Sequence, residues 1–151
     1  MNYKNVIFQF LAGLFLMLGI KQFFIFADLN LLELISSLGK ENFAYFADKS
    51  DRLGVVNKLQ GLINAKIILG FIAILINYVI LFILAYKRKL NWNISIIITI
   101  ILGILHYFNI IQLSPISFVK INLVAAYLIP AFIVFILSVL FYYLSFKTSR
   151  N

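Results

Sequence analysis

From Gly61 to Ala85 this chain carries a single charge, Lys66, in a run dominated by Ile, Leu, Phe and Val. A helix needs about 20 mostly apolar residues to cross the hydrocarbon layer of a bilayer, and this stretch suffices. Residues 6–27, 93–111 and 118–144 have the same character. All four are apolar around most of their circumference, as lipid-facing helices are, and none shows the short alternating pattern of barrel strands. A soluble fold could not absorb the pattern. The chain is 64% hydrophobic and 12% charged, where soluble domains run near 45–50% and about 25%. A small soluble domain also leaves roughly a third or more of its surface exposed. The expectation is an all-α membrane protein, one domain over residues 1–151, folded as a four-transmembrane-helix bundle.

Orientation follows from the basic residues near the segment ends. Lys4 precedes the first segment, Lys87, Arg88 and Lys89 fill the second link, and Lys147 and Arg150 follow the last. With four crossings these regions share one side, which the positive-inside rule makes cytoplasmic. The net charge of +8 is therefore read as orienting charge, not as a nucleic-acid footprint. Tyr86, Trp92, Tyr142 and Tyr143 fall where an inner aromatic belt would lie. The wealth of Ile, Asn, Lys and Phe resembles the output of an AT-rich bacterial genome, so the expected location is a bacterial inner (plasma) membrane with both termini inside. Cleavage of the first segment as a signal peptide is the competing account. Its apolar run is long for that, Lys21 interrupts it, and Ile25-Phe26-Ala27 is a poor cleavage site.

The outer loop, residues 28–60, holds all five acidic residues: Asp28, Glu33, Glu41, Asp48 and Asp51. Asp28 is placed to cap a helix whose stripe is Leu31, Leu32, Ile35 and Leu38, ending at Gly39. Phe43, Tyr45 and Phe46 follow, and Ser50 is placed to cap a second stretch through Val55, Val56, Leu59 and Leu62 that leads into the second span. One or two interfacial amphipathic helices are expected on the outer face. The links after the second and third segments are short, which predicts antiparallel neighbours.

Ionisable groups inside a span are costly and mark candidate sites. Lys21, Lys66 and His106 stand one to two turns inside the outer ends of the first three segments, a shared level in the outer leaflet. Helical side chains tilt toward the N-terminus. Lys66 is therefore expected to snorkel outward, whereas Lys21 points inward and needs a partner, for which Asp28 and Glu33 are the candidates. Lys66, Gly70, Ala73 and Asn77 share one helical face, and Ser95, Thr99, Leu102, His106 and Asn109 another. Gly70, Ala73, Asn77, Ser95 and Thr99 are read as a helix-packing seam. Its outer end is read as a basic pocket of Lys21, Lys66, His106 and Asn109. Pro130 should interrupt the hydrogen bonding of the fourth helix.

There is no cysteine, which removes disulfides, zinc–thiolate sites and thiol redox chemistry. No metal site or cofactor is expected, since a lone histidine lacks companion ligands. No nucleotide loop, zincin motif or nucleophile triad occurs, which weighs against an enzyme. No carboxylate lies within a span, which weighs against an ion-coupled transporter acting alone. The stretch Leu11-Ala12-Gly13-Leu14-Phe15-Leu16-Met17-Leu18-Gly19, followed by Lys21, resembles the opening of DoxX-like four-helix bacterial membrane proteins. The likeness covers that segment and assigns no residue a role. The expected function is a non-catalytic accessory or interaction subunit of a bacterial inner-membrane assembly, with a membrane protein or a second copy as partner. The alternative is a protein binding a lipid, quinone or other anionic amphiphile in the outer pocket.

Overall fold

The computed structural model describes residues 3–38, 54–88, 92–115 and 122–148. Among these residues there is no strand. Helix α1 spans Tyr3–Lys21 and continues as a 3₁₀ segment, Gln22–Ala27; α2 spans Leu29–Leu38, α3 Val55–Arg88, α4 Trp92–Tyr107 and α5 Leu123–Thr148. Three stretches, Tyr3–Ala27, Asn57–Lys87 and Leu123–Thr148, are long and apolar enough to cross a membrane, and Trp92–Tyr107 is a shorter apolar helix. The chain is a helical membrane protein.

Local chemistry sets the helix ends. Asp28 caps α2, its Oδ1 accepting the Leu31 amide at 3.0 Å. The second stretch expected in the outer loop leads into the second span as one helix, α3, which follows Gly54 (φ +61°) and runs unbroken through Lys66 to Arg88. Gly39, Phe43, Tyr45, Phe46 and Ser50 lie outside the described residues.

The third span was expected to reach residue 111, but α4 stops at Tyr107. Asn109 adopts a left-handed conformation, φ +50°. Its amide donates to the His106 carbonyl at 3.0 Å, and the Ile110 amide donates to the Leu105 carbonyl at 3.1 Å. These two bonds form a Schellman stop, with Asn109 in the place usually taken by glycine. The fourth span was expected from residue 118, but α5 begins at Leu123 because Asn122 caps it. The Asn122 Oδ1 accepts the Val124 amide at 3.1 Å, and its carbonyl accepts the Ala126 amide at 3.0 Å.

These two ends lengthen the last link, and the packing reflects it. Helix α1 is the hub, packed most extensively on α5 and then on α3, while α4 lies mainly against α3 and meets α1 over a smaller contact. Helices α4 and α5 were expected to be neighbours. Instead α1 and α3 come between them, which the link over residues 108–122 is long enough to permit. The start of α1 meets the end of α5, where Ser145 Oγ donates to Asn5 Oδ1 and Gln9 Nε2 donates to the same atom at 3.3 Å. Deeper in, Ser138 Oγ donates to the Ala12 carbonyl at 2.8 Å. Polar side chains thus fasten α1 to α5 through lipid-depth packing.

The central core joins Met17, Ala73, Ile74, Leu81, Ile98 and Leu102. Gly13 lets three helices converge there: a Cβ on it would stand 2.7 Å from Asn77 Oδ1 and from Leu102 Cδ1. Asn77 is fully buried, and its Oδ1 accepts the Tyr142 hydroxyl. Tyr142 therefore points into the core, where the sequence suggested an interfacial belt; Tyr143 and Tyr86 remain exposed. Pro130 is buried within α5, which continues through it, leaving the Ala126 carbonyl without its helical donor.

Candidate functional site

Where α1 ends, α3 passes and α4 terminates, the helices leave a cavity of about 360 Å³ lined by Lys21, Ile63, Lys66, Ile67, His106, Tyr107, Asn109 and Gln112. Its volume is in the range of small-molecule sites, about 300–1,000 Å³. Four of the lining residues are those singled out from the sequence: Lys21, Lys66, His106 and Asn109. Each arrives from a different piece of local structure.

Lys21 is the last residue of α1 and is only 3% exposed. Its Nζ donates to Asn109 Oδ1 at 3.2 Å. The proposed ion pairs do not form among the described residues. The Asp28 carboxylate is turned to the α2 amide it caps, and Glu33 borders a separate cleft with Ile25, Leu123 and Tyr127. A neutral amide oxygen thus takes the place of the expected carboxylate.

Lys66 sits about three turns into α3, because that helix starts earlier than expected. Its Nζ donates to Gln112 Oε1 at 3.4 Å and lies 5.3 Å from the centre of the Phe24 ring. The side chain that was expected to snorkel is engaged by protein groups, including an aromatic face that attracts its charge.

His106 is 4% exposed and lies in the last turn of α4. Its Nε2 stands 2.9 Å from the Ile67 carbonyl. A carbonyl only accepts, so Nε2 carries the proton of that bond. Nδ1 is buried without a partner. The ring meets Phe71 edge to face at 4.8 Å and packs directly on Gly70, where a Cβ would overlap it. Gly70 is what admits the imidazole between α3 and α4.

The packing face resolves residue by residue. Gly70, Ala73, Asn77 and Ser95 are buried. Thr99 spends its hydroxyl on the Ser95 carbonyl of its own helix at 2.8 Å, so it does not bridge α3 and α4. Two participants were missed in the sequence. Gln112 lines the cavity and holds Lys66, and Gln22 Nε2 donates to the Leu113 carbonyl at 2.8 Å. Both were hidden because residues 108–113 were read partly as helix and partly as bare linker. Three side chains, Lys21, Gln22 and Lys66, in fact tie that segment down.

A second cavity, about 510 Å³, opens between the starts of α1 and α4, with Val6, Phe10 and Leu11 facing Ile94, Ile97 and Ile101. It is wholly apolar and holds no group that could orient a ligand. It lies where α4 packs mainly on α3 and meets α1 over a smaller contact.

No protein-family model matches this chain, nor does any curated protein or solved structure. The resemblance of α1 to DoxX-like openings therefore remains a likeness of one segment.

Proposed function

We propose that this chain is a multi-pass membrane protein that holds an anionic amphiphile in the cavity between α1, α3 and α4. One observation carries the reading. Among the described residues, two lysines line one cavity and bond only to neutral amide oxygens, with no carboxylate in its lining. Charges in a low-dielectric setting are costly unless compensated, so an anion is the complement this cavity favours. Ile63 and Ile67, each more than two-fifths exposed, give its rim an apolar side facing lipid. A head group would enter the polar end and its chain would stay in the bilayer.

The placement we propose is four crossings of a bacterial inner membrane with both termini cytoplasmic and the cavity in the outer half. Contacts support it. The start of α1 lies beside the end of α5, and the ends of α1 and α3 that flank the cavity are antiparallel. The chain must then return through α4 to begin α5. At 16 residues α4 covers about 24 Å, short of a full span. Residues 108–113 complete the distance, and irregular backbone at that depth is tolerated where it lines a cavity.

The reading as an accessory subunit keeps one specific support. Tyr107 and Phe108 are exposed and packed edge to face at 5.2 Å beside the cavity mouth, and exposed aromatic residues favour protein contacts. Purification in mild detergent separates the two. A chain that runs alone and retains a defined anionic lipid, lost in Lys21→Met, fits the ligand reading. A stoichiometric protein partner, with no lipid dependent on Lys21, would replace it with the accessory reading.

A further inference from the structure

We infer that the group seated between Lys21 and Lys66 is a phosphate monoester, which deepens the amphiphile reading above and rests on it. The polar part of the cavity wall is formed by Lys21, Lys66, His106, Asn109 and Gln112 beside the apolar Ile63 and Ile67. Each ammonium has three N–H groups and gives one to an amide oxygen, Lys21 to Asn109 and Lys66 to Gln112. Each keeps two for a ligand. The side-chain acceptors among the described lining residues are the two amide oxygens already engaged, the Tyr107 hydroxyl and the buried Nδ1 of His106. Among the described residues the cavity therefore offers two positive charges and at least four N–H groups not spent on these two amides, with no carboxylate lining it.

Charge count and oxygen count select among anions. A phosphodiester or a carboxylate brings one negative charge and two equivalent oxygens, leaving one ammonium uncompensated. A phosphate monoester carries about −1.5 to −2 at neutral pH and three strong acceptor oxygens. It matches both lysines together. The exposed residues Ile63, Ile67 and Phe71, spaced by four on α3, run from the cavity toward the middle of the helix and give an attached chain an apolar track.

Native mass spectrometry of the full chain, released from detergent, tests this with four probes: dioleoyl phosphatidic acid, dioleoyl phosphatidylglycerol, oleate and glycerol 3-phosphate. Phosphatidic acid should bind about tenfold or more tighter than phosphatidylglycerol or oleate, the equivalent of one further charge-assisted hydrogen bond. Lys21→Met and Lys66→Met should each remove that advantage, while Lys147→Met, remote from the cavity, should keep it. Because Lys21 is buried, Lys66→Met carries the test if Lys21→Met fails to fold. Equal binding of the mono- and diester lipids, still dependent on the lysines, would overturn the monoester and leave the amphiphile reading standing. Glycerol 3-phosphate binding as tightly as phosphatidic acid would uphold the monoester and overturn the lipid. Binding indifferent to both lysines, or none, would overturn both.

Discussion

The ammonium of Lys21 and the side-chain oxygen of Asn109 meet at 3.2 Å across 88 positions of sequence. The contact joins the end of α1 to the residue that stops α4. Asn109 does two jobs that different substitutions separate.

Asn109→Gly keeps the left-handed stop and removes the acceptor, whereas Asn109→Ala loses both. In detergent melts Asn109→Ala should be destabilised by about 1 kcal/mol from the left-handed backbone alone, and Asn109→Gly should lie closer to the parent. Both should alter lipid retention, since both release Lys21. Equal melting of the two variants would mean that the helix stop does not depend on this residue's conformation.

Gly70→Ala should be the more damaging change, because its methyl would overlap the His106 ring. Overpacking of this kind costs roughly 1–3 kcal/mol. Gly70→Ala combined with His106→Ala should recover much of the loss, as a double-mutant cycle of unfolding would reveal. Strict additivity would show that the two residues do not press on each other.

Tyr142→Phe removes the hydroxyl that Asn77 accepts in the core. Hydrogen bonds between membrane helices average about 0.6 kcal/mol and reach about 1.7 kcal/mol. A loss in that range is expected from steric-trap or denaturant unfolding, with Asn77→Leu plus Tyr142→Phe less harmful than the sum. A neutral Tyr142→Phe would place no weight on this bond.

The cysteine-free chain lends itself to single-cysteine labelling. Asn57→Cys should react with a membrane-impermeant maleimide in intact cells. Lys87→Cys and Lys147→Cys should react only after permeabilisation. Protection of residue 87 with labelling of residue 147 would mean that α4 and its link do not cross.

Much of the helical framework was legible because long apolar runs are a property of many residues at once. Single misplaced residues hardly blur them. The cap at Asp28 was legible because a short acceptor just ahead of an apolar stripe has one common use. The ends of α4 and α5 were not. Asn109 and Asn122 look like polar residues inside spans until their backbone is known, since asparagine serves helix interior, left-handed stop and cap alike. The level shared by Lys21, Lys66 and His106 followed from counting turns. Asn109 was read into the same pocket, but Gln112 as the partner of Lys66 was not, because it lies in a segment with no periodicity to read. Tyr142 was misread for a related reason: an aromatic near a helix end suits the interface, and only a buried Asn77 opposite turns it inward.

Gly70 and His106 also bear on how such a sequence can drift. The imidazole occupies the space that any side chain at position 70 would claim, so the two positions form one unit of variation. A lineage that keeps the histidine is confined to glycine across from it. One that first trades the histidine for a small residue gains freedom at 70 and loses the ring that lines the cavity. When relatives of this chain are aligned, bulk at the two positions should be exchanged, never added.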